Sequence, residues 1–206
     1  MSVPNQDQIK EQLRQDKKLT PLIDRLELPI LTSDGDVYAA LTRSIVSQQL
    51  SVKAAATIYG RFLDLFDNRY PDKISVLNYS IDDLRAVGLS RQKASYIQNV
   101  ATFFQEHEKN SPTDWSTMSD EAIIDYLIQI KGVGKWTVEM ILMFTLNRLD
   151  VLPLDDLAIR TRIVKLYKVQ ETGRQLKPIL TKIAEPWRPY RSIACRYLWL
   201  FVDNNK

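Results

Sequence analysis

A chain of 206 residues, 45% of them hydrophobic, can bury one sizeable core or two smaller ones sharing an interface, so a folded globular protein is expected. Its 28 basic against 25 acidic residues leave a formal charge of +3, so any surface for a polyanion must be local. A single cysteine, Cys195, excludes a disulfide framework or a four-cysteine zinc or iron–sulfur site within the chain and fits a reducing, intracellular compartment, while no apolar run approaches the ~20 residues of a membrane span and the polar start MSVPNQDQIKEQLRQDKK lacks a signal peptide's apolar core.

Apolar residues recur at helical spacing, as in Val37, Leu41, Ile45 and in Ile123, Leu127, Ile130, and no segment sustains the alternation of a strand. The spacing predicts helices over 5–17, 36–48, 52–66, 82–86, 91–107, 120–129, 135–148, 156–168, 175–184 and 190–202. Ser51, Ser80, Ser90 and Ser119 each precede an amphipathic stretch as candidate N-caps, and Asp120 and Glu121 suit the positive end of the helix they open. The fold class is therefore all-α with short connections, and EKNSPTDWST at 108–117 reads as a loop between two bundles, with Trp115 packing locally. His107, in a polar QEHEK run, reads as a solvated helix residue. A faint echo between 84–104 and 127–146 fits either an ancient duplication or chance.

Two of the six glycines stand two apart in IKGVGKW at 130–136. A helix ending at Ile130, then Lys131-Gly132-Val133-Gly134, then a helix opening at Lys135 aims unpaired backbone N–H groups at whatever approaches. Glycine keeps a Cβ out of the way of a phosphate oxygen, Lys131 and Lys135 add charge, and Thr137 adds a hydroxyl donor. The same residues also suit a tight connection in which Gly132 or Gly134 caps the first helix. A nucleotide P-loop would need G-x-x-x-x-G-K-[ST] after a strand, and neither is present. Further on, Asp155-Asp156 before LAIRTRIVKLY has the pattern of a helix start, from which a carboxylate can also project into a cleft.

LIQIKGVGKWTVEMIL resembles the hairpin of the helix-hairpin-helix DNA glycosylase superfamily, in which a proline-containing loop and an essential aspartate follow; DVLPLDDLAIR at 150–160 supplies both. The resemblance is nearest to the 3-methyladenine DNA glycosylase II type of alkylation-repair enzyme. It implies that Asp156 is the catalytic carboxylate, with Asp155 as an auxiliary neighbour. Members that also cut the backbone carry a Schiff-base lysine where this chain has Trp136, which implies a monofunctional hydrolase. EPWRPYRSIACRYLW at 185–199 is similar to the family's C-terminal segment, so Trp136 and Trp199 are expected to wall the base pocket, with Trp187 and Tyr190 as further pocket aromatics. Outside that frame each aromatic reads as ordinary core. Arg191 and Arg188 either contact phosphate or pair with acidic neighbours. SIVSQQLSVKAAA resembles the stretch whose turn fills the gap left by an extruded base, with Gln48, Gln49 and Leu50 as candidates, against a plain helix–helix turn. A monovalent cation, Na or K, on the backbone carbonyls of Ile128, Ile130 and Val133 is implied by resemblance alone; no side-chain metal site and no iron–sulfur cluster are expected.

The implied architecture is two helical subdomains, 1–33 with about 160–206 and about 34–155, the helix-hairpin-helix spanning 120–148 at the rim of the cleft between them, and no N-terminal β domain. The implied function is a DNA glycosylase that flips an alkylated purine such as 3-methyladenine or 7-methylguanine out of double-stranded DNA and hydrolyses its N-glycosidic bond, leaving an abasic site. Cleavage builds positive charge on the sugar, which a fixed carboxylate stabilises, and an alkylated purine already carries the charge that lets it leave. The expected partner is DNA, with no membrane and no second subunit, in the cytoplasm or nucleoid of a bacterium or the nucleus of a eukaryote. Two alternatives stand: a glycosylase with lyase activity or another base preference, and a DNA-damage binder without chemistry.

Overall fold

The computed structural model of the protein describes residues 5–29, 35–107 and 114–201. Most of the loop expected at 108–117, and position 202 at the end of the last expected helix, lie outside these. Among the described residues the regular structure is helical throughout: α1 (Gln6–Arg14), α2 (Thr20–Arg25), α3 (Val37–Ser47), α4 (Val52–Leu63), α5 (Lys73–Asn78), α6 (Ile81–Ala86), α7 (Arg91–Glu106), α8 (Asp120–Leu127), α9 (Lys135–Phe144), α10 (Leu157–Tyr167), α11 (Leu176–Ala184) and α12 (Arg191–Leu200), joined by short 3-10 turns. No helix is long and apolar enough to cross a membrane.

Side-chain caps set most of the starts. The hydroxyls of Ser51, Ser80, Ser90 and Ser119 accept the amides of Ala54, Asp83, Lys93 and Ala122, and Ser80 completes a reciprocal capping box with Asp83. α2 and α5 have no counterpart in the sequence reading. Each has six residues, too few for a 3.6-residue period to show, and only Pro21 in the first turn of α2 and the Asp72 cap of α5 mark them. His107 ends α7 with its Nδ1 2.8 Å from the Phe103 carbonyl and its ring stacked on Phe103 at 4.2 Å, so it is a packed cap rather than a solvated residue. Trp115 lies 6.1 Å from the Tyr126 ring.

The chain divides into two units: residues up to 32 together with 147–206, and residues 33–146. In the middle unit, α7 is the central element and packs on α3, α5 and α6, burying Ala94, Ile97, Val100 and Ala101. In the terminal unit, α10 and α12 pack together, with α1, α2 and α11 around them. The stretch 147–155, which the sequence places with the middle of the chain, belongs to the terminal unit. The reason is a set of bonds to the start of α12: Ser192 N–H donates to the Leu149 carbonyl (2.9 Å) and Val151 N–H to Ser192 Oγ (2.8 Å).

Asp16, between α1 and α2, ties distant parts of the terminal unit together. Its Oδ2 accepts from the Tyr167 hydroxyl at the end of α10 and from Trp187 Nε1–H at 2.8 Å, while Oδ1 accepts the Lys18 amide at 2.9 Å. Burial first, and then the bond to Asp16, push the Tyr167 phenol well above the ordinary tyrosine range. Replacing Asp16 with alanine strands two partly buried donors. It is expected to lower the unfolding free energy by about 2–3 kcal/mol in urea titrations, and a loss under about 0.5 kcal/mol would contradict this role.

Candidate active site

The candidate residues fall on both units. In the terminal unit, Asp156 is the N-cap of α10, and its Oδ1 accepts the Ile159 amide at 2.8 Å. The same oxygen accepts Trp199 Nε1–H, 3.2 Å away, from the last turn of α12. Two of the sequence candidates, 43 positions apart, therefore meet directly. Two donors on one oxygen set the plane of the carboxylate against the positive end of an 11-residue helix. The adjacent carboxylate does something else: Asp155 Oδ1 lies 2.5 Å from Lys177 Nζ on α11, an ion pair at the surface. Leu157, the next residue after Asp156, is 67% exposed, an apolar side chain beside the carboxylate that helical periodicity assigned to neither core nor site.

One expectation in this unit is corrected, and one open choice is decided. Trp187 is completely buried, bonded to Asp16 and packed near Tyr167, so it is core rather than pocket wall. Arg191 is only 13% exposed at its side chain and is spent on Asp150: its Nε lies 2.7 Å from Asp150 Oδ1, and a second nitrogen donates to the Asp150 carbonyl at 2.8 Å. Arg188 pairs with the same aspartate at 2.5 Å and with Glu185 at 2.6 Å. These arginines pin the loop that leads to Asp156 instead of reaching outward to phosphate. Tyr190 precedes α12, half-buried, with its amide donating to the Trp187 carbonyl at 2.7 Å.

In the middle unit, α8 ends at Leu127 and the hairpin tightens through the Ile130 amide on the Leu127 carbonyl (3.1 Å) and the Val133 amide on the Ile130 carbonyl (3.0 Å). The two glycines have different jobs. Gly132 has φ of +105°, and a Cβ there would lie 2.3 Å from the Tyr96 ring, so this position is glycine for conformation and packing. Gly134 has φ of −99° and no heavy atom within 4 Å of an added Cβ; it begins α9 without a side-chain cap. The opening to an anion is thus at Gly134 and the first turn of α9.

Trp136 is 39% exposed in that first turn, whereas Thr137 is 3% exposed. Thr137 faces the core with Val138 and Ile141, which corrects its expected role as a phosphate donor. Lys135 keeps an exposed side chain, 3.8 Å from the buried carboxylate of Glu139 one turn on. As for the implied cation, backbone carbonyls are the hard oxygen donors that Na or K takes. The Ile130 carbonyl already accepts one hydrogen bond, which leaves a carbonyl's second lone pair.

At the other expected contact, Gln48 caps α3, Gln49 has φ of +57°, and Gln49 and Leu50 are exposed. Val52, in the first turn of α4, is 89% exposed. The residues that hold these turns were missed: Lys93, Tyr96 and Asn99, all on α7.

The chain matches the HhH-GPD superfamily of base excision DNA repair proteins over residues 42–189 and belongs to that family. It is 33% identical over 184 residues to DNA-3-methyladenine glycosylase 1 of Schizosaccharomyces pombe, covering 89% of this chain and 80% of that protein. Its fold is similar to that of the fission yeast 3-methyladenine DNA glycosylase Mag1 in complex with abasic DNA, with a TM-score of 0.80 and 31% identity over 93% of this chain and 95% of that one. It is also similar to a DNA-3-methyladenine glycosidase from Bacillus halodurans, with a TM-score of 0.77 and 33% identity, covering 96% of this chain and 88% of that one.

Proposed function

We propose that the protein is a monofunctional DNA glycosylase that removes alkylated purines, 3-methyladenine and 7-methylguanine among them, from double-stranded DNA by base flipping. The observation that carries this reading is the carboxylate of Asp156, held by the Ile159 amide and the Trp199 indole in a chain of the base-excision family. As the N-glycosidic bond lengthens, positive charge grows on the deoxyribose, and an oriented carboxylate stabilises it and directs water to the same carbon. A cationic alkylpurine leaves without a strong general acid, and indole faces attract cationic rings. Trp199 lies beside the carboxylate, and Trp136 offers an exposed indole at the opening of α9. The Gly134 turn and Lys135 suit sequence-independent contact with phosphate. Asp155, paired with Lys177, is auxiliary at most.

Hydrolysis without strand cleavage rests on Trp136 standing where a Schiff-base lysine would be needed. On an end-labelled duplex with one alkylated purine, the strand should break only after alkali treatment, and borohydride should trap no protein–DNA adduct. Breakage without alkali together with a trapped adduct would overturn the monofunctional reading.

A further inference from the structure

One helix holds both turns of the middle unit that the proposed function turns toward DNA. Lys93, Tyr96 and Asn99 lie three residues apart on α7 and so form a stripe along one side of it. At one end Lys93 Nζ donates to the carbonyls of Val46 (2.8 Å), in the last turn of α3, and Gln48 (2.7 Å), its C-cap. At the other end the Tyr96 ring fills the space where Gly132 lacks a Cβ, and Asn99 Nδ2 donates to the Lys131 carbonyl at 3.1 Å. From Lys93 to Asn99 is about 9 Å along a helix that rises 1.5 Å per residue, the length of two to three steps of a DNA strand at ~3.4 Å each.

We propose that α7 is a strut that keeps the Gln48–Leu50 turn and the Lys131–Gly134 hairpin in register for one duplex, and that Lys93 is a positioning residue for DNA distortion rather than a phosphate contact. The proposal rests on the reading that these turns face DNA. Gln49 holds a left-handed backbone conformation unusual for a residue with a side chain, and such a turn persists only where its surroundings over-determine it. The ammonium does this by filling the negative end of α3 with two charge-assisted bonds. Its half-buried place, where desolvation lowers the Lys93 pKa, commits it inward. Two of the three N–H donors of the ammonium are spent on these carbonyls, which aims the group at the turn.

The test uses a duplex with 2-aminopurine beside an abasic analogue, whose fluorescence rises when the neighbouring base unstacks. Lys93→Met should cut that rise and, on a separate duplex with one methylated purine, the single-turnover rate of base release at saturating enzyme by about tenfold, with Lys93→Arg restoring most of both, while the slope of log affinity against log salt stays at the wild-type value. A slope reduced by about 0.9, the value for one phosphate contact, would overturn the proposal, as would wild-type fluorescence and rate in Lys93→Met. If Lys93→Met is unfolded by circular dichroism, Asn99→Ala decides: it removes one bond at the exposed end of the strut and should weaken abasic-DNA binding several-fold at unchanged salt slope, and unchanged binding would overturn the proposal. No fluorescence rise with the wild-type protein would sink the reading of these turns, and the strut with it; a wild-type rise matched by Lys93→Met sinks the strut alone.

Discussion

Asp156→Asn is expected to lower the single-turnover rate of base release by about 10²–10⁴-fold while leaving affinity for abasic DNA and thermal stability close to wild type. The separation follows from the two roles of one side chain. As N-cap, Asp156 accepts the Ile159 amide, and asparagine is an equally good cap whose amide oxygen accepts from Ile159 and Trp199 alike. The negative charge is removed, and the second carboxylate oxygen becomes an NH2 group. Asp156→Ala would confound the result, because the lost cap costs a further ~0.5–2 kcal/mol of stability. Asp155→Asn is the matched control: it breaks an exposed ion pair with Lys177, which contributes little, and should change the rate by less than about threefold. Rates measured at enzyme excess over one methylated site check all three; a rate for Asp156→Asn within about threefold of wild type would remove Asp156 from the chemistry.

The second large effect separates the two hairpin glycines. Gly132→Ala places a Cβ 2.3 Å from the Tyr96 ring at a φ of +105°, so both the ring and the backbone must move. Backbone strain of about 1–3 kcal/mol and the added steric clash together should cost about 3 kcal/mol or more in unfolding free energy. Removing the ring in Gly132→Ala/Tyr96→Ala relieves the clash but not the strain, so the pair should be non-additive. Gly134→Ala meets no atom within 4 Å at an ordinary φ and should fold with wild-type stability to within about 0.5 kcal/mol, yet bind DNA at least about tenfold more weakly if the proposed phosphate contact lies at this turn. Urea titration and abasic-DNA binding distinguish the two; equal effects of both substitutions on both readouts would refute this division of labour.

What was legible in the sequence is what is local. Ser51, Ser80, Ser90 and Ser119 act as caps within three residues of themselves, and the amide each one takes is fixed by the helix it starts. The helix start at Asp155-Asp156 was legible for the same reason, and Asp156 is its cap, whereas the choice of Asp156 as candidate carboxylate came from the family resemblance. The misplaced residues are those whose partners lie far along the chain. Trp187 is drawn into the core by an aspartate 171 residues away, and Arg191 is drawn inward by one 41 residues away. Nothing near either residue announces those partners. Thr137 shows the limit of placing a residue by its distance from a glycine: its neighbour Trp136 is exposed, but one step of about 100° around the helix takes Thr137 into the core. Nothing in the sequence sets Lys93 apart from the other lysines of amphipathic helices, because the carbonyls it serves lie 45 and 47 residues earlier.

The measurement that bears most directly on the central claim is chromatography of the bases released when the wild-type protein acts on methylated duplex DNA, with an aldehyde-reactive probe counting abasic sites in the same sample. Free 3-methyladenine and 7-methylguanine should appear with wild-type protein, matched one for one by abasic sites, and should be nearly absent with Asp156→Asn. Tight binding of the methylated duplex with no base released would contradict the claim and leave a protein that recognises damaged DNA without cutting its glycosidic bond.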